Sequence, residues 1–341
     1  MNQKYLVSIL LPTYNSGKYL DDCLKSVVNQ SYKNIELVII DNNSTDNTQE
    51  IFKKYKNFLK INFFNHKTKN LAEALNFGIN NCSGEYIARM DSDDFMRKHR
   101  ISKQLKFLVK NKSYFFVGTN ALRFKGKYFF FNKPFDIFYD DEDLKLNLLF
   151  QSSFIHPTIM FNKKMIQKNN LFYKNSMSEC EDYDLWIRML TKTKFKNLSY
   201  FGLFYRVHEN SASLKKRNKL DNYFSNLNFS LLRDFDIDMS QHDFELHKKI
   251  SELKIYKTDD FDILNTFYIN FLLKIKNNRK INKIFNENKI KYFLSKKYFR
   301  FCIRSTQTIN FSFFKCIKSD IKIKIPFIYI LMLLSMLKIK I

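Results

Sequence analysis

Four short apolar runs, YLVSILLP, IELVIID, KINFFN and EYIARMD, lie between Tyr5 and Asp91, and stretches with helical spacing separate them. In the first of these stretches, SGKYLDDCLKSVVNQ, Leu20, Leu24 and Val27 or Val28 fall on one helical face. NSTDNTQEIFKKYK opens a second helix with Ser44 or Thr45 as its N-cap, and LAEALNFGINN reads as a third. Strands that alternate with helices pair in parallel, because a parallel neighbour is reached only through a crossover. The expected fold is therefore α/β: a Rossmann-related, mostly parallel sheet flanked by helices. Ligands in such sheets bind beyond the carboxyl ends of the strands. Asp41 and Asp91 each stand at such an end.

Downstream the alternation loosens. RISKQLKFLVKN reads as a helix, YFFVGTNALRFKGKYFFF as a hairpin turning at Lys125-Gly126, and LSYFGLFYRVHENSAS as a strand and then a polar loop. Beyond Ser213 the chain has no glycine and one proline, Pro326, and reads as helix. We therefore expect an α/β domain over 1–213 and a basic helical extension over 214–341.

The net charge is +25, and it is uneven. Residues 271–341 hold 17 Lys and Arg against 2 Asp and Glu, a net of +15. They end in an uncharged run of thirteen, IPFIYILMLLSML, flanked by Lys322, Lys324, Lys338 and Lys340. A spanning helix needs about 20 apolar residues. The run is short for that and suits either a buried element or an anionic membrane interface. The N-terminal run is a first buried strand; it lacks the length and cleavage site of a signal peptide. The five cysteines, Cys23, Cys82, Cys180, Cys302 and Cys316, form no C-x-x-C pair, which argues against a zinc or disulfide framework and fits a reducing compartment.

Against this positive background, GEYIARMDSDDFMRKHR concentrates Asp91, Asp93 and Asp94 just past the fourth strand. Two carboxylates one residue apart can reach one hard cation, and Mg²⁺ or Mn²⁺ is usually held by one or two carboxylates plus substrate phosphates. The other reading is a solvated turn in which Asp94 caps a helix starting at Met96. A second acidic cluster, Glu181, Asp182 and Asp184, enters a helix, where acids near the N-terminus are favourable without any chemistry.

Taken in order, PTYN after the first strand, S..NQ.Y.NIELVIID..STD, G.YIARMDSDD, HPT at 156–158, ECEDYDLWIRM at 179–189 and YRVHENSAS at 205–213 resemble the inverting nucleotide-sugar glycosyltransferases of family two, with the GT-A fold. The resemblance covers roughly 5–213. It implies transfer from a UDP-sugar to a lipid-linked or oligosaccharide acceptor in lipopolysaccharide or capsule synthesis, with Mn²⁺ or Mg²⁺. Such an enzyme would be peripheral on the cytoplasmic face of the cell membrane. It further implies that Pro12, Thr13, Tyr14 and Asn15 line the donor and that Asp41 accepts from the uracil N3–H. Asp91 and Ser92 would face the nucleotide, and Asp93, with Asp91 and His208, would hold the metal. Arg206 would meet the diphosphate, Lys69 the base or phosphate, and Asp182 would be the catalytic base, with Glu181 competing for that role. The family often has a second acid after the first; here Asn42 follows Asp41. His156 would shape the acceptor pocket or make a loop hydrogen bond, and Arg89 would pair with Asp91 or another acid.

Two other classes stay open on the residues alone. D-x-D after a strand also serves aspartyl-phosphate chemistry, although that motif belongs on a first strand and wants Thr or Val where Phe95 stands. Charge alone would fit a nucleic-acid binder, but no helix-turn-helix, RNP or zinc pattern is present, and nucleic acid is not expected as a partner.

Overall fold

The computed structural model describes residues 4–126, 128–130, 138–177, 179–209, 217–252 and 261–305. Its first elements are β1 (Val7–Thr13), α1 (Gly17–Val28), β2 (Ile35–Asp41), α2 (Thr48–Lys53), β3 (Lys60–Asn65), α3 (Leu71–Asn81) and β4 (Tyr86–Arg89). β1, β2 and β4 are buried along their whole length. That is why they read as continuous apolar runs: a sheet covered on both faces has no solvated side to alternate with. Val7, Ile9 and Leu11 join Leu20, Cys23, Leu24 and Val27 of α1 in one core cluster. On the opposite face Gly78 of α3 comes down on Leu10 and Ile40.

The strands run β3-β2-β1-β4, all parallel, with Thr13 level with Asp41 and Leu10 level with Arg89. Later elements are β5 (Phe95–Met96), α4 (Arg100–Lys110), β6 (Phe116–Lys125), β7 (Tyr128–Phe130), α5 (Asp141–Asn147), β8 (Met160–Asn162), α6 (Lys163–Lys168), α7 (Glu181–Met189) and β9 (Asn197–Arg206). They extend the sheet from β4 through β8, β6 and β9 to β5. There the pairing is mixed: β8 is antiparallel to both neighbours, β9 is parallel to β6, and β5 is antiparallel to β9. The expected hairpin is β6–β7, with Gly126 at its turn in the left-handed region at φ +60.

Two local expectations are corrected. The residue before α2 is Asn47, which makes no side-chain cap bond, and neither Ser44 nor Thr45 is its N-cap. Ser44 instead donates to Asp41, and the Thr45 N–H donates to Asn15, so both are committed to the site loops. No helix starts at Met96: Phe95 and Met96 pair with Phe204 and Leu203 as β5, and α4 begins only at Arg100 with His99 before it.

One carboxylate is hidden inside the sheet. Glu36 on β2 is buried and accepts from Ser8 Oγ at 2.6 Å, Ser83 N at 2.6 Å and Asn62 Nδ2 at 3.1 Å. Burial alone would raise its pKa, but these bonds and Lys60 hold it below the usual range. Glu36 is thus a structural acid with no vacancy for a ligand.

By internal contacts the chain divides into two compact units, 1–145 with 152–224, and 146–151 with 225–341. The boundary expected near Ser213 lies in 210–216, outside the described residues, as does the apolar run 325–337. The remaining helices are α8 (Arg217–Asp234), α9 (Gln241–Glu252), α10 (Phe261–Lys276), α11 (Arg279–Ile284) and α12 (Glu287–Ser305). In the second unit, Phe150 packs its ring against His247, Tyr268, Phe271 and Phe293. His247 is buried with Nε2 on Leu149 O and Asn228 Oδ1, and burial pushes its pKa down to about 3, so it is neutral. Among the described residues no helix is long and apolar enough to cross a membrane.

Gly84 is where the turn into β4 crosses the start of β1. A Cβ there would lie 2.6 Å from Ser8 N and 2.8 Å from Leu6 O, both backbone atoms with little room to yield. Gly84→Ala is expected to cost about 1–3 kcal/mol, as overpacking does, read as a fall in unfolding free energy by urea titration.

Candidate active site

The carboxyl ends of β2, β1 and β4 stand side by side, and each releases a polar loop. After β1, Tyr14 is exposed and Asn15 takes φ 45. Asn15 Oδ1 accepts from Thr45 N at 2.8 Å and its own N–H donates to Ser44 Oγ at 2.8 Å. After β2, Asp41 is buried; it accepts from Ser44 Oγ at 2.5 Å and Ser44 N at 3.2 Å. Asn42 accepts from Thr68 N at 2.7 Å, tying the loop after β2 to the one that carries Lys69. That bond needs only a side-chain oxygen, so Asn serves here where a second acid is common. Lys69 itself is exposed, and its N–H donates to Glu73. The loop after β4 is joined to the loop after β1 by Ser92 Oγ and Ser16 Oγ at 2.6 Å.

The acids beyond β4 form one cluster. Asp91, Asp93 and Asp94 each bring a carboxylate oxygen within 4.8 Å of the others. Asp91 pairs with buried Arg89 at 2.7 Å, as expected. Asp93 Oδ2 lies 2.8 Å from His208 Nε2. Asp94 Oδ1 accepts from the Arg206 backbone N at 2.8 Å, and its Oδ2 is buried with no hydrogen-bond partner among the described residues. Asp94 is therefore not the cap of a helix but the buried third member of the cluster. Burial, followed by repulsion from Asp91 and Asp93, pushes its carboxyl well above the usual range. Burial and Asp93 push Asp91 up as well, against Arg89.

Three converging carboxylates, one with an orphaned buried oxygen and one facing an imidazole, form an oxygen-rich donor set suited to a hard divalent cation. The residues thus fit the metal that the sequence resemblance implies.

Arg206 closes the cluster from β9. Its Nε donates to Asp93 O at 2.7 Å and its Nη2 to Asp22 at 2.9 Å, and the guanidinium lies over the Tyr19 ring at 4.7 Å. Tyr19 also packs on His208 at 4.7 Å. Tyr19 and Asp22 were not singled out in the sequence, and both lie on the α1 face that carries Cys23. Arg100 is a second omission. It stands in the basic run that follows the acids, and it is buried and donates to Arg89 O at 2.7 Å.

The α7 acids divide by partner. Asp184 is held by Arg188 at 2.7 Å and Lys174 at 3.2 Å. Glu181 is buried, with Oε1 3.6 Å from His156 Nδ1, and His156 Nε2 meets Tyr173 OH at 2.9 Å. Asp182 is half-buried and accepts from the Tyr183 N–H of its own turn at 2.7 Å. Burial raises both Glu181 and Asp182, and Arg89 and Asp91 act electrostatically on both, so the helix start and the acidic cluster share one field.

The profile for Glycosyl transferase family 2 matches residues 8–170. The O-antigen biosynthesis glycosyltransferase WbnJ of Escherichia coli is 33% identical over 216 residues, 61% of this chain and 82% of WbnJ. The chain belongs to glycosyltransferase family 2. A further family relative, the E. coli UDP-Glc:alpha-D-GlcNAc-diphosphoundecaprenol beta-1,3-glucosyltransferase WfaP, is 30% identical over 220 residues, covering 63% of this chain and 82% of WfaP. The fold is that of S. aureus TarS 1-349 solved with UDP-GlcNAc, at TM-score 0.57 and 16% identity over 88% of this chain and 90% of that one. Family membership decides for a transferase over the phosphoryl-transfer reading of D-x-D.

A contrast between neighbouring acids follows. Asp184→Asn leaves Arg188 and Lys174 without their carboxylate, and the protein is expected to lose about 2–3 kcal/mol. Asp182→Asn removes a charge that burial disfavours and is expected to leave the melting temperature unchanged or raised. Thermal melts of the two variants side by side check this.

Proposed function

We propose that this family-two enzyme is a metal-dependent inverting transferase that moves a sugar from a UDP donor to a lipid-linked glycan in lipopolysaccharide or capsule synthesis, at the inner face of the cell membrane. One observation carries the reading: Asp91, Asp93, Asp94, Arg206 and His208 meet in one cluster beyond β4. The acceptor class is supported by the diphosphoundecaprenol in the name of WfaP, and the donor by the UDP-GlcNAc bound to TarS. The membrane assignment is supported by the net +15 of residues 271–341.

Asp93, with Asp91 and His208, would hold Mn²⁺ or Mg²⁺, which when bound neutralises charge on the departing diphosphate. Arg206, fixed by Asp93 O and Asp22, adds a guanidinium on the same side. Pro12, Thr13, Tyr14 and Asn15 line the nucleotide, with Tyr14 offering an exposed ring to the base. Asp41 and its Ser44 turn form the base end, Ser92 faces the ribose side, and Lys69 contributes charge at the rim. Asp182 takes the proton from the acceptor hydroxyl as its oxygen bonds to the anomeric carbon. The carbon–oxygen bond to UDP breaks on the opposite face, so configuration inverts. Asp182 suits this role because no cation among the described residues forms an ion pair with it and burial lifts its pKa to about 6, nearer the working pH.

The test is a panel of UDP-sugars with N-acetylglucosamine-diphosphoundecaprenol as acceptor, read by UDP release. One donor is expected to give release that EDTA abolishes and Mn²⁺ restores. Asp93→Ala should drop it to background, and Asp182→Asn should lower kcat roughly 10²–10⁴-fold. Because Asp182 works deprotonated, the rate should fall as pH drops through about 6 and level off above it. Full activity of Asp93→Ala at ordinary metal concentrations would overturn the reading.

A further inference from the structure

The segment from Phe95 to Lys112 holds seven Lys and Arg and no Asp or Glu. Arg100 is buried; Arg97, Lys98, Lys103, Lys106, Lys110 and Lys112 are exposed. Lys103, Lys106 and Lys110 follow at i, i+3 and i+7, so they share one face of α4. The opposite face is sunk in the core through Ile101, Leu105 and Leu108. Buried Gln104 donates to Val117 O and Thr158 O at 2.9 and 2.7 Å, which fixes the rotation of the helix. The cationic face is therefore preset. Among the described residues, none of the six exposed cations of this segment is paired with a carboxylate.

β9 continues the surface. From Leu190 to Arg206 there is again no acid. Tyr200 lies under Lys103 at 3.8 Å and under Arg97 at 5.4 Å. A tyrosine ring beside exposed cations suits a protein surface that sits among lipid head groups. The Tyr200 ring is already covered by cations, so it offers no platform for a nucleic-acid base. Both elements of this surface run into the catalytic cluster, the one just after Asp93 and Asp94, the other ending at Arg206.

We infer that the exposed face of α4, with Tyr200 of β9, docks the catalytic unit on an anionic phospholipid bilayer. Docking there sets the donor site against the plane in which a lipid-linked acceptor diffuses. The surface belongs to the catalytic unit and is separate from the basic charge beyond residue 271. It stands whether or not the sugar transfer proposed above is correct.

The test is co-sedimentation of the full chain with vesicles of phosphatidylglycerol and phosphatidylcholine. Two variants of equal charge are compared: Lys103→Gln/Lys106→Gln/Lys110→Gln on the face, and Lys53→Gln/Lys54→Gln/Lys56→Gln, also exposed but elsewhere on the same unit. Each lysine near an anionic surface contributes about fivefold in partitioning. The face variant should therefore bind roughly 100-fold more weakly, and the other within a few-fold of the unaltered chain. Binding should vanish on pure phosphatidylcholine and weaken sharply as salt shortens the screening length. Unchanged melting temperatures show that both variants fold. Equal loss in both variants, no loss in the face variant, or displacement from vesicles by tRNA at equal charge concentration would each overturn the inference.

Discussion

Arg206 ties the site together. Its backbone N–H satisfies Asp94, its Nε satisfies the carbonyl of Asp93, and its Nη2 reaches Asp22 on α1. One residue thus joins the end of β9, the acidic loop after β4 and the first helix. Two residues on, His208 faces Asp93, and Tyr19 packs on both the Arg206 and the His208 side chains. The acidic loop also leans on Ser16 through Ser92. Three loops that are far apart in sequence are thereby held in one geometry before any ligand arrives, which is how a site avoids ordering costs at the moment of binding.

The electrostatic design follows from that geometry. Three carboxylates crowd beyond β4, and burial with mutual repulsion drives Asp94 toward the neutral form. Beneath them sit Arg89 and Arg100, both buried. Arg89 pairs with Asp91, and its field extends to Glu181 and Asp182 at the start of α7. The same physics sorts the acids elsewhere. Glu36 and Asp184 are saturated by donors and cations and act as structure. Among the described residues, Asp182 has no cation paired with it, and Asp94 Oδ2 has no hydrogen-bond partner. Number and position of partners, not acidity, separate the two groups.

Much of this was legible in the sequence because the parallel strands are buried on both faces and so appear as unbroken apolar runs. Their carboxyl ends then locate the loops, and PTYN, VIID and MDSDD mark the ends that stand side by side. What was not legible depends on contacts between distant segments. Met96 looked like a helix start because β5 is only two residues long and pairs solely with β9. Ser44 looked like a cap because its commitment to Asp41 is made across the loop. Arg100 carries no motif, and only the fold shows that the core encloses it. Tyr19 and Asp22 carry no motif; they matter because β9 brings Arg206 and His208 to α1. Residues 146–151 join the second unit through Phe150, which no composition shift announces.

The central claim is that the cluster of Asp91, Asp93 and Asp94, braced by Arg206 and His208, is a divalent-cation and diphosphate site. It is tested most directly by titrating Mn²⁺ into the full chain with UDP present and following free Mn²⁺ by electron paramagnetic resonance. The account predicts one saturable Mn²⁺ per chain, UDP-dependent in affinity, and lost in Asp93→Ala while the circular dichroism spectrum is kept. Equal Mn²⁺ binding by Asp93→Ala, or binding indifferent to UDP, would contradict it.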